Sequence, residues 1–236
     1  MNAFDRVKAL LGEEGYNKLK NSSVAVFGVG GVGGYVVEAL VRSGVGRIDV
    51  FDADTVDESN LNRQIISTRD SIGKDKVNVV KERALSINPD IKINAYKVFY
   101  LKDTADKYDL SGYDYIVDAV DTVSAKIELI VRATNLSVPI ISCMGTGGKI
   151  NPEKLKVASI EKTSGCPLAR VIRRELKNLG VKGVKVVYSD EQMESSYLSV
   201  GKKADGKTAP ASMIFVPATA GLIIAKEVVI GIINKE

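Results

Sequence analysis

The sequence contains no histidine among its 236 residues. This absence excludes every mechanism built on a Ser-His or Cys-His pair, and it removes histidine from any metal site. Only two cysteines are present, Cys143 and Cys166, which are too few for a disulfide framework or a structural zinc site. Chemistry must therefore come from carboxylates, lysines, arginines, a thiol or the substrate itself. No basic segment followed by an apolar run opens the chain, so we expect a cytoplasmic protein.

A strong excess of one charge and a clean membrane segment are also lacking. The chain has 33 Lys and Arg against 29 Asp and Glu, a balance of +4 that gives only weak support to a nucleic-acid partner. Its most apolar stretch, residues 213–233, is interrupted by Pro217, Lys226 and Glu227, and charges are costly inside lipid. The apolar residues of this stretch recur at helical spacing. We therefore expect a packed C-terminal helix and no membrane span.

What the sequence does contain is a glycine-rich turn between two apolar runs. Residues 24–27 are typical of a strand, and a second strand, residues 48–51, ends at Asp52. Between them lie a helix with apolar residues at helical spacing and five glycines: Gly28, Gly30, Gly31, Gly33 and Gly34. This arrangement places a nucleotide phosphate at the first turn of the helix. The acid after the second strand is suited to accept a hydrogen bond from a ribose hydroxyl.

Strands and helices alternate through the first 150 residues. Further strands are predicted at residues 91–98, 113–118 and 139–144, and helices are predicted to begin at Lys76 and near Val123. The alternation predicts an α/β fold with a doubly wound, mostly parallel, Rossmann-like sheet. Ligands collect at the carboxyl ends of strands in such sheets, and three acids fall at predicted strand ends: Asp52, Asp118 and Asp121.

The alternation weakens after residue 151. We predict a strand at residues 155–160 that leaves the parallel core, a helix after Cys166, a strand at 183–188 and a polar loop at 195–207, followed by the C-terminal helix. We expect one domain over residues 1–236 with an elaborated C-terminal third. Its parts would be a helical arm (1–20), a nucleotide-binding core (21–150), and a substrate-side extension ending in the last helix (151–236).

The polar residues that follow the glycine turn discriminate between nucleotides. A glycine turn alone also fits a dinucleotide oxidoreductase. Hydride transfer, however, does not call for the basic and acidic set in this chain: Asp54, Asn60, Arg63, Gln64, Lys76 and the Asp118-x-x-Asp121 pair. Basic side chains neutralise phosphate charge, and a carboxylate can hold Mg²⁺ against the phosphates. The set therefore favours a nucleoside triphosphate.

These residues, in this order and spacing, resemble a known family. The match runs from Arg6 to about Gly148, and the family is that of the adenylating enzymes related to ubiquitin-activating enzymes and to the activators of sulfur-carrier proteins. The resemblance implies a homodimer that binds ATP and Mg²⁺ and joins AMP to a carboxylate. It implies that Asp52 binds the ribose and that Asp121 binds magnesium. The phosphates would be bound by Asn60, Arg63 and Lys76, while Arg6 would reach into the site of the neighbouring subunit.

The C-terminal third resembles one branch of that family. Carrier-activating members commonly hold zinc through two Cys-x-x-Cys pairs, and this chain has neither. Residues 144–152, 162–170 and 212–217 are instead similar to the tRNA threonylcarbamoyladenosine dehydratases. That likeness implies ATP-dependent activation of the threonyl carboxylate of the modified adenosine beside the anticodon. The carbamoyl group would then close a ring onto the activated carboxylate and expel AMP.

Ring closure on an acyl-adenylate needs no histidine, because an intramolecular reaction has an effective molarity of order 10⁵ M or more. The helix with Arg170, Arg173, Arg174 and Lys177 is either a contact for the phosphate backbone of tRNA or a solvated face.

Other functions remain open at this point. The principal alternative is adenylation of the C-terminus of a sulfur-carrier or ubiquitin-like protein, with Cys166 near a helix N-terminus forming a thioester. A structural or accessory role for Cys166 is the other interpretation, and we expect Cys143, at the end of an apolar strand, to be buried and inert. A sulfur-transfer partner and a non-catalytic tRNA-binding protein also stay among the possibilities.

Overall fold

A computed structural model describes residues 2–192, 199–202 and 208–235 of the chain. Seven strands form its main sheet: β1 (Ser23–Phe27), β2 (Arg47–Phe51), β3 (Lys92–Tyr96), β4 (Tyr115–Asp118), β5 (Ile140–Cys143), β6 (Leu155–Ser159) and β7 (Lys185–Ser189). Their order across the sheet is β3-β2-β1-β4-β5-β7-β6. All neighbours are parallel except β6 and β7. The predicted mostly parallel sheet is confirmed.

Helices cover both faces of this sheet. They are α1 (Asp5–Lys20), α2 (Gly33–Ser43), α3 (Lys76–Ile87), α4 (Lys102–Ala105), α5 (Val123–Asn135), α6 (Pro167–Asn178) and α7 (Phe215–Ile233). One face packs against α2, α3 and α7, and the other face against α5 and α6. Because both faces are covered, the central strands are apolar in nearly every position, and β1 is buried from Val24 to Phe27.

The C-terminal third departs in two places from what we expected. The predicted strand at 155–160 exists, but it stays in the sheet as an antiparallel edge strand beside β7. In the segment predicted to be a polar loop, residues 199–202 form β8 (Ser199–Lys202), which pairs with β9 (Thr208–Pro210). The remaining residues of that segment lie outside the described part of the chain. Strand pairing at a sheet edge depends on long-range contacts, which local periodicity does not report.

The two terminal helices pack on each other. Within α1, Gly12 has φ +73° and ψ 166°, so the predicted helical arm is kinked. Of the helices in the described ranges, α7 alone is long and apolar enough to cross a membrane by length and composition. It nevertheless contacts α1, α2 and the sheet, and one of its faces is buried: Val216, Pro217, Ala220, Gly221, Ile224, Ala225, Val228 and Ile232. The helix therefore packs in the core, as the sequence predicts.

Candidate active site

The glycine turn joins the carboxyl ends of three adjacent strands. Gly28 follows β1 at φ +83°, and its N–H donates to Phe51 O at the end of β2 over 2.7 Å. A Cβ atom on Gly28 would lie 2.7 Å from Ala119 O, just beyond β4. A Cβ atom on Gly33 would lie 1.8 Å from Gly28 O. No side chain fits at these two positions, so glycine is required where the turn enters α2.

Asp52 fixes the shape of this turn. One carboxylate oxygen accepts the N–H of Val29 over 2.8 Å, and the other accepts the N–H of Asp54 over 2.9 Å. Burial raises the pKa of the Asp52 carboxyl, while Lys76 and the two N–H donors act in the opposite direction. A carboxylate has about four lone-pair sites, so acceptor capacity remains for a ligand hydroxyl.

Lys76 is the first residue of α3, and it is buried apart from 5% of its surface. Its Nζ lies 2.8 Å from an oxygen of Asp54, whose side chain is 57% exposed. The Lys76 backbone N–H also donates to Asp54 O over 3.0 Å. These two bonds hold one ammonium group beside the residues that follow β2, so a cation is fixed close to the strand ends.

The segment between β2 and α3 lies over the glycine turn. Asn60 is buried, and its side-chain oxygen accepts the N–H of Asp57 over 3.1 Å, which closes a short turn of 3₁₀ helix. Arg63 donates to Ser59 O and to Asn62 Oδ1, each over 2.9 Å. Within the described ranges no carboxylate pairs with Arg63, and burial lowers the pKa of its guanidinium. A Cβ atom on Gly31 would lie 3.5 Å from Arg63 Cγ, so this uncompensated cation adjoins the turn.

Asp118 has a different environment. It is fully buried, and its carboxylate accepts hydrogen bonds from Lys126 Nζ over 2.9 and 3.0 Å and from the Ser142 hydroxyl. One oxygen also accepts the N–H of Val120 over 3.2 Å. The carboxylate is thus used inside the protein, which corrects the expectation that Asp118 contacts the nucleotide directly. It instead shapes the backbone that leads to Asp121.

Asp121 is exposed at the end of this backbone segment, two residues before the first residue of α5. Residues 119 and 120 touch the glycine turn, because Ala119 O and Val120 N lie within 3.0 Å of a Cβ atom built on Gly28. The β4 end therefore carries Asp121 to the same edge of the sheet as Asp52.

Arg6 is not brought to this edge within its own chain. Phe4 packs beside Gly44, which ends α2 at the edge opposite the glycine turn. Arg6, exposed in the first turn of α1, lies near that opposite edge. Of the predicted site residues, the structure thus brings together the glycines, Asp52, Asp54, Asn60, Arg63, Lys76 and Asp121. Asp118 lies beneath them, and Arg6 lies apart.

Comparisons with known proteins bear on this arrangement. The sequence model of the ThiF family matches residues 4–235 of this chain. The chain belongs to the ThiF family. It is 41% identical over 243 aligned positions to the tRNA threonylcarbamoyladenosine dehydratase of Bacillus subtilis, covering 99% of this chain and 96% of that protein.

Two further relatives mark the range of this family. The crystal structure of E. coli tRNA N6-threonylcarbamoyladenosine dehydratase in complex with ATP superposes with a TM-score of 0.88 and 31% identity, covering 97% of this chain and 93% of that chain. A sulfur carrier protein adenylyltransferase of Thermus thermophilus is 37% identical over 131 residues, covering 56% of this chain and 48% of that protein. The likeness to the dehydratases extends over nearly the whole chain, and the likeness to the adenylyltransferase over about half.

Both cysteines of this ThiF chain are buried. Cys143, 4% exposed at the end of β5, has its pKa raised to about 12 by burial, in agreement with the inert thiol expected from the sequence. Cys166 precedes the first residue of α6 and is 5% exposed. A Cβ atom on Gly145 would lie 3.9 Å from Cys166 Sγ. The thiol is therefore packed under the loop that follows β5.

Sequence reasoning missed two parts of the ThiF site. Lys126 was not identified, although a lysine that shares its helical face with Ala125, Leu129 and Ile130 signals a buried charge. The contact of α7 with the glycine turn was also missed. A Cβ atom on Gly31 would touch Pro217, and one on Gly221 would lie 2.6 Å from Val32 O. No local pattern joins residues so distant in the chain.

Proposed function

We propose that this chain uses ATP to activate the threonyl carboxylate of threonylcarbamoyladenosine in tRNA and closes it into a ring, with net loss of water. The observation that carries the proposal is the half-buried Arg63, which has no carboxylate partner among the described residues and adjoins the glycine turn. A buried cation without a counter-ion is unfavourable unless an anion binds beside it. A nucleotide phosphate on the turn supplies that anion.

The nucleotide would lie along the edge where β1, β2 and β4 end. The turn of Gly28, Gly30, Gly31 and Gly33 admits the phosphates close to the backbone, and Asp52 accepts a ribose hydroxyl. Phosphate oxygens are bound by Asn60, Arg63 and Lys76. Asp54 holds the Lys76 ammonium in place by its 2.8 Å contact and is thus a positioning residue.

The donors present fit Mg²⁺ as the companion of ATP. Mg²⁺ is usually bound by one or two carboxylates together with substrate phosphates and water. Asp121, exposed at the phosphate edge, provides such a carboxylate. When bound, the ion would neutralise charge that develops on the leaving pyrophosphate.

The reaction then needs positioning and charge more than a base. A threonyl carboxylate oxygen forms a bond to the α-phosphorus, the α–β bridging bond breaks, and pyrophosphate leaves with its charge next to Arg63 and Lys76. An atom of the carbamoyl group attacks the activated carbonyl carbon, the C–O bond to AMP breaks, and AMP leaves with the bonding electrons. The N–H proton that the carbamoyl group loses passes to the departing phosphate or to water. Both reacting groups belong to one substituent, so the second step is accelerated by proximity alone. A chain without histidine can therefore perform it.

Mass spectrometry of tRNA nucleosides after incubation with ATP tests the proposal. We expect the mass of the threonylcarbamoyladenosine nucleoside to fall by about 18 units, the mass of one water molecule. AMP and pyrophosphate should form in equal amounts. Transcribed tRNA that lacks the threonylcarbamoyl group is the control. Equal AMP release with both tRNAs would show that the substrate has been assigned wrongly.

The second candidate function is adenylation of a carrier-protein terminus, favoured by the match to the T. thermophilus adenylyltransferase. The burial of Cys166 counts against a thioester at this residue, because a carrier C-terminus could not reach its sulfur. Capture of a thiol-sensitive conjugate between this chain and a carrier protein would favour the alternative. Full activity of Cys166→Ala on modified tRNA would count against it.

We also propose that the site is completed by a second copy of the chain. Arg6 lies away from the site of its own chain, and exposed apolar side chains cluster where α7 begins: Met213, Ile214, Phe215 and Leu222. Such a patch marks an interaction surface. Mixing inactive Arg6→Ala with inactive Lys76→Ala protein should restore part of the activity in heterodimers. No recovery after verified subunit exchange would exclude a shared site.

A tRNA substrate further implies a cytoplasmic enzyme.

A further inference from the structure

Positive charge is concentrated in one segment of the chain. Residues 151–185 contain nine Lys and Arg and three Glu, a net charge of +6, whereas the whole chain carries +4. The remaining residues therefore sum to −2. A charge balance that looks ordinary for the whole molecule hides a basic region that comprises β6, α6 and the start of β7.

Helix α6 presents much of this charge on its outer face. Ala169, Ile172 and Leu176 are buried against α5 and the sheet. The residues on the opposite side, Arg170, Arg174 and Lys177, are exposed and fall within about 60° of one another at 100° per residue. Lys182 is exposed just after the helix. We call these four residues the basic face.

Not every arginine of α6 belongs to this face. Arg173 donates from Nη1 to Thr163 O over 2.7 Å and to Thr163 Oγ1 over 2.8 Å, so its guanidinium fastens the segment before the helix. Of the two interpretations of this helix, a tRNA phosphate contact and a solvated face, neither describes Arg173. Arg174 pairs with Glu175 over 2.8 Å. Among the described residues, Arg170, Lys177 and Lys182 have no acidic partner, and they are the available charges.

The basic face begins at the edge that carries the nucleotide site. Cβ atoms built on Gly145, in the loop after β5, would lie 3.8 Å from Leu168 and 3.9 Å from Cys166. The first turn of α6 thus borders the carboxyl end of β5. From there the helix runs along the sheet to its amino-terminal edge, a distance of about 18 Å at 1.5 Å per residue. A chain of phosphates that left the site could follow it.

We propose that the basic face binds the phosphate backbone of the tRNA strand that leads away from the modified adenosine. This inference rests on the proposed function and adds the surface by which the substrate is held. The charge of the face is complementary to RNA, and a row of unpaired Arg and Lys contacts phosphates without reading bases. Binding through this face is therefore independent of sequence and of the modification, whereas the nucleotide edge reads the threonylcarbamoyl group.

The test compares two triple variants of the full chain. The first is Arg170→Gln, Lys177→Gln and Lys182→Gln, which removes the unpaired charges of the basic face. The second changes three exposed lysines on the β3 side of the sheet that also have no acidic partner in the described ranges: Lys92→Gln, Lys102→Gln and Lys107→Gln. The two variants lose the same net charge, so they differ in position alone.

Binding of tRNA is measured by fluorescence anisotropy from 50 to 200 mM salt, with modified and unmodified tRNA. Each lost phosphate contact lowers the slope of log K against log salt by about 0.7–0.9, so the first variant should lose about two units of slope and the control almost none. The first variant should bind modified and unmodified tRNA more weakly by the same factor. Equal slopes for the two variants would overturn the proposal, as would a loss confined to modified tRNA.

Failure of the surface and failure of the function give different results. ATP binding by the first variant should equal that of the unmodified sequence, and its KM for tRNA should rise at least about 10-fold, the scale of one or two lost charge contacts. If the protein without substitutions dehydrates modified tRNA and the first variant has the same KM for that tRNA, only the binding surface has been assigned wrongly. If the protein without substitutions binds tRNA with the expected slope of log K against log salt but does not dehydrate it, the proposed function is wrong and the proposed binding surface is retained.

Discussion

Replacement of Lys126 by methionine isolates the contribution of the buried ion pair beneath the site. The Lys126 and Asp118 side chains are both fully buried, with Nζ 2.9 Å from the carboxylate. Methionine keeps the unbranched apolar stem of lysine and removes its charge. The Asp118 carboxylate would then remain buried with only the Ser142 hydroxyl and the Val120 N–H as donors.

The expected cost follows from two opposing effects. At an effective dielectric constant of about 20, opposite charges 2.9 Å apart attract by about 6 kcal/mol. Part of this loss is offset, because the ammonium no longer has to be desolvated. Breaking a buried pair from one side costs about 3–5 kcal/mol in the free energy of unfolding. For a domain of this size the melting temperature should fall by about 10 °C.

Urea unfolding followed by far-ultraviolet circular dichroism measures this change. Lys126→Met combined with Asp118→Asn should recover most of the loss, because no uncompensated charge then remains. Lys156→Met breaks an exposed pair with Asp190 and serves as the control, with no resolvable shift of the midpoint. A Lys126→Met protein within about 1 kcal/mol of the unmodified sequence would refute the reasoning, as would a double variant no more stable than the single one.

Three further outcomes are expected. Lys76→Ala and Asp121→Ala should each slow pyrophosphate release at least about 10²-fold through lost charge stabilisation, and near-normal turnover of either variant would remove its assigned role. Gly33→Ala should abolish ATP binding measured by calorimetry, since its Cβ would lie 1.8 Å from a carbonyl oxygen, whereas Gly112→Ala, with open space around it, should bind normally. Burial raises the pKa of Cys143 to about 12, so the unfolded chain loses this proton first and stability should fall as pH rises from about 9. Cys143→Ala should flatten that decline in urea midpoints, and an unchanged slope would exclude the thiol as its source.

Local pattern predicted most elements of this fold because each strand and helix of the core carries its own periodicity. The helices α3 and α5 begin at the expected Lys76 and Val123, and the strand ends fall at Asp52 and Asp118 or within one residue. The antiparallel direction of β6 was not predictable, since it is decided by pairing with β7, about 30 residues later in the chain.

The site was predictable in composition and less so in the direction of each side chain. The polar residues that follow β2 lie close together because they belong to one short segment. The hydrogen bond between Asp52 and Asp54 and the ion pair between Lys76 and Asp54 are examples. Asp118 ends its strand as predicted, yet its carboxylate meets Lys126, eight residues away on α5. Which face of a strand a helix covers depends on the handedness of the connection and on packing, and neither is written in the residues at the strand end. The same applies to Arg173, whose partner Thr163 lies outside its helix.

The close contact between α7 and the start of α2 determines when, during synthesis, the nucleotide site can be completed. Gly221 fits against Val32 with no room for a side chain, and Pro217 lies against the glycine turn. During synthesis the turn emerges long before the helix that packs on it. The nucleotide site of a nascent chain therefore lacks one of its walls until α7 has been synthesised and has packed, so ATP would meet the finished pocket only after that helix is in place.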